Sequence, residues 1–202
     1  MGTNHIFVDF ENVQPNNFDL LIGHEVQLTV FVGAVQKALP VEIVTAVQKL
    51  GDRAQYCTVK KTAPDALDFH IAFYLGQVAE PNSADCNYII SKDKGFDPLL
   101  EHMRERHFNV SRRAAITELP FIAPSYRSLI EERIERVKLN LMSRKESLPK
   151  KTAALANTIN SIFGKTLSAR ECQDLISLLE KEGHISVDAG AVRYTNNLNF
   201  LT

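Results

Sequence analysis

The 202 residues contain no tryptophan and only three cysteines. Cys57, Cys86 and Cys172 lie far apart and form no CxxC pair, which argues against a zinc ribbon and against a disulfide scaffold. Cys57 and Cys86 sit in apolar runs and read as small core residues. No apolar run approaches the ~18 residues of a membrane span, and the first residues show no signal-peptide pattern. No membrane partner is therefore expected, and a reducing cytoplasm is the expected compartment. A glycine-rich phosphate loop is also missing, which argues against nucleoside triphosphate hydrolysis. Internal repeats and low-complexity tracts are absent.

An excess of charge of one sign is missing only on average. The formal net charge of −1 combines an acidic first hundred residues, with 7 Lys+Arg against 12 Asp+Glu, and a basic remainder, with 16 against 12. Such a division suits two ordinary solvated surfaces, or a metal site beside a surface for a polyanion. The length allows one ordinary domain and a small second one.

Apolar runs alternate with helical patterns through the first two thirds. Strands are predicted at 5–10, 27–33, 54–60, 86–91 and 108–112, and helices at 16–22, 41–50, 64–79 and 96–107. This alternation predicts βαβ units and a largely parallel sheet, with every strand C-terminus on one edge. Around Pro120 and Pro124 the pattern changes. Residues 125–145 predict one amphipathic helix, with Leu129, Ile130, Ile134, Val137 and Leu141 at helical spacing, and 146–152 reads as a polar linker. Helices at 152–163 and 168–182 and a strand pair across 184–195 follow. Ser168 and Glu171 form a capping-box signature, and DAG is a hairpin-type turn. This order outlines a winged-helix-like module. Three segments are expected: an α/β domain over 1–124, a connecting helix and linker over 125–147, and the small α+β domain over 148–202.

The chemistry concentrates in HIFVDFENVQP, which begins at His5. The first strand ends in Asp9, and Glu11 and Asn12 follow. Asp65 and Asp68 lie three apart at the start of the 64–79 helix, on neighbouring positions of one face. Asp65 has the ordinary excuse of a cap; Asp68 lies a turn inside, among Leu67, Phe69, Ile71, Phe73 and Tyr74, which read as core. After the fourth strand come Ser91, Asp93 and Asp97. Asp97 is placed to cap the next helix with Pro98, whereas Asp93 has no such excuse. Asp9, Asp68, Asp93 and Asp97, with Glu11 and Asp65 nearby, thus approach one edge of a parallel sheet. Like charges repel, more so when desolvated, so a cation is expected among them. Oxygen-only ligands favour Mg²⁺ or Mn²⁺, and a cation so held serves hydrolysis of a phosphodiester.

FVDFENVQ, PDALDFHIAFYLG and IISKDKGFDPLL resemble the PIN-like nucleases, specifically their bacterial NYN-type branch, over about residues 4–115. The resemblance implies a three-layer α/β/α sandwich with a mostly parallel sheet and a ribonuclease site dependent on Mg²⁺ or Mn²⁺. It implies Asp9 as the strand-one metal ligand with Asn12 in support, Asp68 as the helix carboxylate, and Asp93 and Asp97 completing the set. The chain departs from many NYN relatives at Gly95, where they carry an acid; here the acid follows Phe96 as Asp97.

RNA is the expected partner. Lys60 and Lys61 after the third strand, Lys92 after the fourth, and Arg112 and Arg113 after the fifth are candidate phosphate contacts. Lys150 and Lys151, with Arg144, Lys145, Lys165, Arg170 and Arg193, add basic points to the C-terminal module, which suits nucleic acid or protein equally. His70 reads as a core or partner-facing residue, and Ser91 as closing a turn or bonding a phosphate. The 125–145 helix suits bracing the two domains or pairing in a homodimer. The expected activity is endonucleolytic cleavage of RNA. Two rivals are a non-catalytic nucleic-acid-binding or regulatory module and an aspartyl-phosphate phosphatase, although the latter usually wants an Asp where Glu11 stands.

Overall fold

A computed structural model describes residues 2–61, 63–144 and 147–195. The chain forms two compact units, Met1–Pro124 and Ser125–Thr202.

Five strands build the first unit: β1 (Asn4–Asp9), β2 (Val26–Val32), β3 (Ala54–Thr58), β4 (Cys86–Ile90) and β5 (Val110–Arg113). All pair in parallel, in the order β3-β2-β1-β4-β5. β1 is central, and its backbone is bonded on both sides. Parallel strands need covered faces, and the side chains comply with period 2. Phe7, Phe31 and Ile89 point into one core layer, where α2 (Ala66–Val78) and α3 (Asp97–Glu105) contribute Leu67, Ile71, Leu75, Leu100 and Met103. Ile6, Val8, Val30 and Ile90 alternate with these residues and are buried too. α1 (Val41–Gln48) and the short 3₁₀ turns Phe18–Leu21 and Ile116–Glu118 supply further buried residues, Ile43, Val47, Phe18, Leu21 and Ile116. The result is the parallel sheet expected from the alternation of elements, in the three-layer α/β/α sandwich that the family resemblance implies.

α2 departs from expectation. It buries only Leu67, Ile71 and Leu75 as a narrow stripe. Phe69 and Phe73, expected in the core, are 70% and 61% exposed. His70 is exposed as well, its Nδ1 sharing a hydrogen bond with the Ala66 carbonyl at 2.6 Å. Tyr74 is half-buried, edge-on to Phe31. Cys57 and Cys86 are only partly buried. β3 is an edge strand, so the layer over it is incomplete and α2 has fewer neighbours than its composition suggests.

The second unit contains α4 (Ala123–Ser143), α5 (Thr152–Ile162), α6 (Ala169–Lys181) and the antiparallel pair β6 (Ile185–Asp188) and β7 (Ala191–Tyr194). Ile134, Val137 and Leu141 of α4 share one core with Leu155, Ile159, Leu175, Ile176, Leu179 and Ile185. The helix expected to connect two domains is thus a core element of this unit. The expected linker is also bound: Val192 N–H donates to the Lys150 carbonyl at 3.0 Å, and the Tyr194 hydroxyl donates to the Pro149 carbonyl at 2.8 Å. Lys150 and Lys151 are exposed; Lys145 and the stretch 196–202 lie outside the described residues. The capping box of α6 forms, with Ser168 Oγ accepting from Glu171 N–H and the Glu171 carboxylate accepting from Ser168 N–H.

The β6–β7 turn places Ala189 and Gly190 at φ 44° and 80°, the left-handed pair of a type I′ hairpin. Glycine tolerates this; alanine is strained by about 1–2 kcal/mol. Ala189→Gly relieves that strain and adds about 0.5–1 kcal/mol of chain entropy cost. A net gain of about 0.5 kcal/mol is expected in a denaturant melt of the full chain, read on the transition of the second unit.

Candidate active site

The strand order reverses between β1 and β4, and in such sheets the crevice beyond the strand C-termini is the binding position. Asp9, the last residue of β1, sits there only 3% exposed. Ser91, the first residue past β4, is fully buried beside it. The Ser91 hydroxyl donates to Asp9 Oδ2 at 2.8 Å, and Asn12 N–H donates to Asp9 Oδ1 at 3.1 Å. Ser91 Oγ also accepts from Asp93 N–H at 3.0 Å, and Asn12 Oδ1 accepts from Lys92 N–H at 2.8 Å. Two loops from neighbouring strands are thereby tied through side chains, and the Asp9 carboxylate is fixed in orientation. Ser91 is therefore both a turn residue and the partner of Asp9, a link between strands that its local sequence does not reveal.

A cavity of about 260 Å³ opens at this edge. Asp9, Glu11, Asn12, Asp65, Asp68 and Asp93 line it, together with Lys61 and Gly33. Asp93 does have a local partner, contrary to expectation: its Oδ1 accepts from Gly95 N–H at 2.7 Å and caps the 3₁₀ turn Lys94–Phe96. Asp65 reverses expectation in the other sense. It stands at the N-cap of α2 with φ 55° and makes no side-chain cap bond; its side chain lines the cavity instead.

Asp97 is placed differently from the other acids. Arg112 grips it with two hydrogen bonds, Nε to Oδ1 at 2.8 Å and Nη2 to Oδ2 at 3.0 Å. The same guanidinium donates through Nη1 to the Ser91 carbonyl at 3.0 Å. Arg112 holds the Asp97 carboxyl below its ordinary range, and Asp97 does not line the cavity. The pair braces the β4 loop, and Arg112 is committed to that task rather than free for phosphate. Arg113 donates to the Arg112 carbonyl at 2.9 Å. Lys60 and Lys92 are exposed.

Burial pushes the Asp9 carboxyl up, against the lowering by Ser91 and backbone N–H donors. Asp68 is pushed up to about 6, first by burial and then by repulsion from Asp9, Asp93, Asp65 and Glu11. A third group escaped sequence reasoning: Gly33, just past β2. Glu11 lies so tightly over its Cα that a Cβ there would collide with the carboxylate. A glycine closing the run QLTVFVG was the available signal of close approach.

Among the described residues no three acid, histidine or cysteine side chains already stand together in ligating geometry. The donor chemistry nevertheless fits a hard divalent cation: the cavity offers carboxylates and a carboxamide, no thiol or imidazole, and carries an unrelieved repulsion.

That repulsion is measurable without any ligand. In the folded chain Asp68 binds a proton more tightly than the ordinary carboxyl at 3.8, so it costs stability as pH rises from about 4 through about 6. Asp68→Asn should stabilise the metal-free chain at pH 7 by roughly 1 kcal/mol after allowance for solvent screening, or about 2–4 °C in Tm. The gain should vanish at pH 4; an equal gain at both values would show that burial and the neighbouring acids do not disfavour the ionised carboxylate.

No curated protein and no solved structure matches the chain. The PIN domain family profile matches residues 3–113, more than half of the chain and nearly all of the α/β unit that carries the acidic cavity. PIN domains are generally nucleases that use divalent metal ions, and this chain belongs to the PIN domain family.

Proposed function

We propose that the chain is an endoribonuclease dependent on Mg²⁺ or Mn²⁺, of the NYN-type branch, whose second unit is a winged-helix-like module that helps select RNA. The observation that carries this reading is the convergence of five carboxylates on one cavity, with Asp68 raised to about 6 by burial and by the others. A divalent ion bound there supplies positive charge for a phosphodiester and acidifies a water.

The chain's own residues have distinct tasks. Asp9, clamped by Ser91 and Asn12, is the fixed ligand. Asp93 spends one oxygen on Gly95 N–H and keeps the other for the cavity. Asp68, raised to about 6, holds a proton in mildly acidic solution and must release it from its carboxyl to act as a ligand. Glu11, seated on Gly33, closes the rim in the place expected of Asp97. Asp97 acts at one remove, through Arg112 and the Ser91 carbonyl. Lys61 stands in the cavity wall, where it can meet a phosphate. The phosphatase reading loses support because both Asp9 oxygens already accept hydrogen bonds, which suits a ligand better than a nucleophile.

Labelled RNA incubated with the pure protein should be cut with Mn²⁺ or Mg²⁺ and left intact with a chelator. Asp9→Asn should lower the rate on the order of 10³-fold. Asp97→Asn, which loosens only the support, should cost about 10–100-fold. Cleavage by Asp9→Asn at the wild-type rate would overturn the assignment. Calorimetric Mn²⁺ affinity should rise between pH 5 and pH 7 with release of a proton, since Asp68 must ionise to bind. In Asp68→Asn that pH dependence should be lost.

A further inference from the structure

Phe69 and Phe73 stand four residues apart on α2 and share one ridge of the helix, while Asp65 at its N-cap lines the cavity. Phe69 and Phe73, 70% and 61% exposed, are the only exposed phenylalanines among the described residues. Neighbours on such a ridge stand about 5–6 Å apart at Cβ, and Phe73 lies about 12 Å along the helix from Asp65. Phe73 is braced: Tyr74 meets it edge-on at 5.7 Å between centroids, and Tyr74 meets the buried Phe31 at 5.3 Å. Beyond Phe73 the surface drops away at Gly76, whose Cβ position is open space. Lys61 lies in the wall of the same cavity, and Lys60 beside it is exposed.

We propose that the Phe69–Phe73 ridge is a base-stacking platform for single-stranded nucleic acid whose backbone enters the acidic cavity past Lys61. This deepens the nuclease reading and rests on it for the direction of the strand. Exposed flat rings are what unpaired bases use, since each base has a π face and duplex bases do not offer theirs. A second protein copy is a weaker occupant. The two rings together expose on the order of 250 Å² at about 200 Å² for a whole phenylalanine, against about 800 Å² per partner in a stable interface.

The test is fluorescence anisotropy in EDTA, with the full chain and a labelled 12-mer RNA offered single-stranded or as a duplex. Phe69→Ala and Phe73→Ala should each weaken single-strand binding on the order of ten- to a hundredfold and leave duplex binding unchanged. Phe69→Tyr should retain affinity, whereas Phe69→Leu, apolar but without a π face, should behave like alanine. Circular dichroism melts of the Phe69 variants should match wild type, and Phe73→Ala, which loses its contact with Tyr74, should lower the melt by no more than a few degrees. Leucine binding as well as phenylalanine overturns the proposal, as do equal losses on duplex, or variants that change only the sedimenting mass. The two readings separate cleanly. Ring-dependent binding without cleavage in Mn²⁺ sinks the nuclease and keeps the platform; cleavage with ring-independent binding does the reverse.

Discussion

A carboxylate buried at the centre of a parallel sheet is the constraint around which the first unit is arranged. Asp9 ends the strand that is paired with both β2 and β4, and at 3% exposure its charge must be accommodated in place. The Ser91 hydroxyl and the Asn12 N–H accomplish part of this, each donating to a different oxygen. Both residues are held by further bonds, Ser91 Oγ accepting from Asp93 N–H and Asn12 Oδ1 accepting from Lys92 N–H, so the loops after β1 and β4 have little freedom left. The remaining acids are then assembled against a charge whose position is already set. Hydrogen bonds can orient Asp9, but they do not cancel the field it exerts on Asp68. An unrelieved field of that kind selects for a cation, and its oxygen-only surroundings select for a hard one.

The same network explains why two neighbouring acids after β4 have different fates. Asp93 lies in the turn, and Gly95 N–H takes only one of its oxygens. Asp97 opens α3, and the register of β5 brings Arg112 alongside, where a planar fork satisfies both oxygens at once. A carboxylate neutralised in this way is a poor ligand. As a brace it is effective, because the third donor of the same guanidinium fixes the carbonyl of Ser91. Asp97 therefore braces the cavity edge from behind, and Glu11 lines the cavity itself.

Much of this architecture was legible beforehand. Regular alternation of β-branched runs and helical patterns identified five parallel strands, and parallelism alone brings Asp9 and Asp93 to one edge. What resisted reading depended on partners distant in sequence. Nothing near Asp97 announces Arg112, fifteen residues later on another element. Nothing near Ser91 announces Asp9. The α2 helix failed for a different reason. Its residues are apolar on nearly all sides, so periodicity carries no direction, and Phe69 and Phe73 passed for core when only every fourth position, Leu67, Ile71 and Leu75, is buried. The left-handed backbone of Asp65 and the contact of Glu11 with Gly33 are likewise products of tertiary approach.

Charge makes the exposed rings intelligible. Residues 1–124 hold 11 Lys+Arg against 15 Asp+Glu, net −4, whereas residues 125–202 hold 12 against 9, net +3. A polyanion approaching the first unit is therefore repelled at long range and attracted only locally, at Lys60 and Lys61 and by a cation once bound. Counterion release, which supplies most of the affinity of basic nucleic-acid-binding surfaces, has little to draw on there. Stacking has no such dependence on net charge. Two exposed phenylalanines on the helix that also carries Asp68 would supply attraction where electrostatics cannot, and would do so only for bases free of a duplex. On this view the acidic site sets a requirement on its own surroundings: the more carboxylates it gathers for the metal, the more its hold on the strand must come from uncharged contacts.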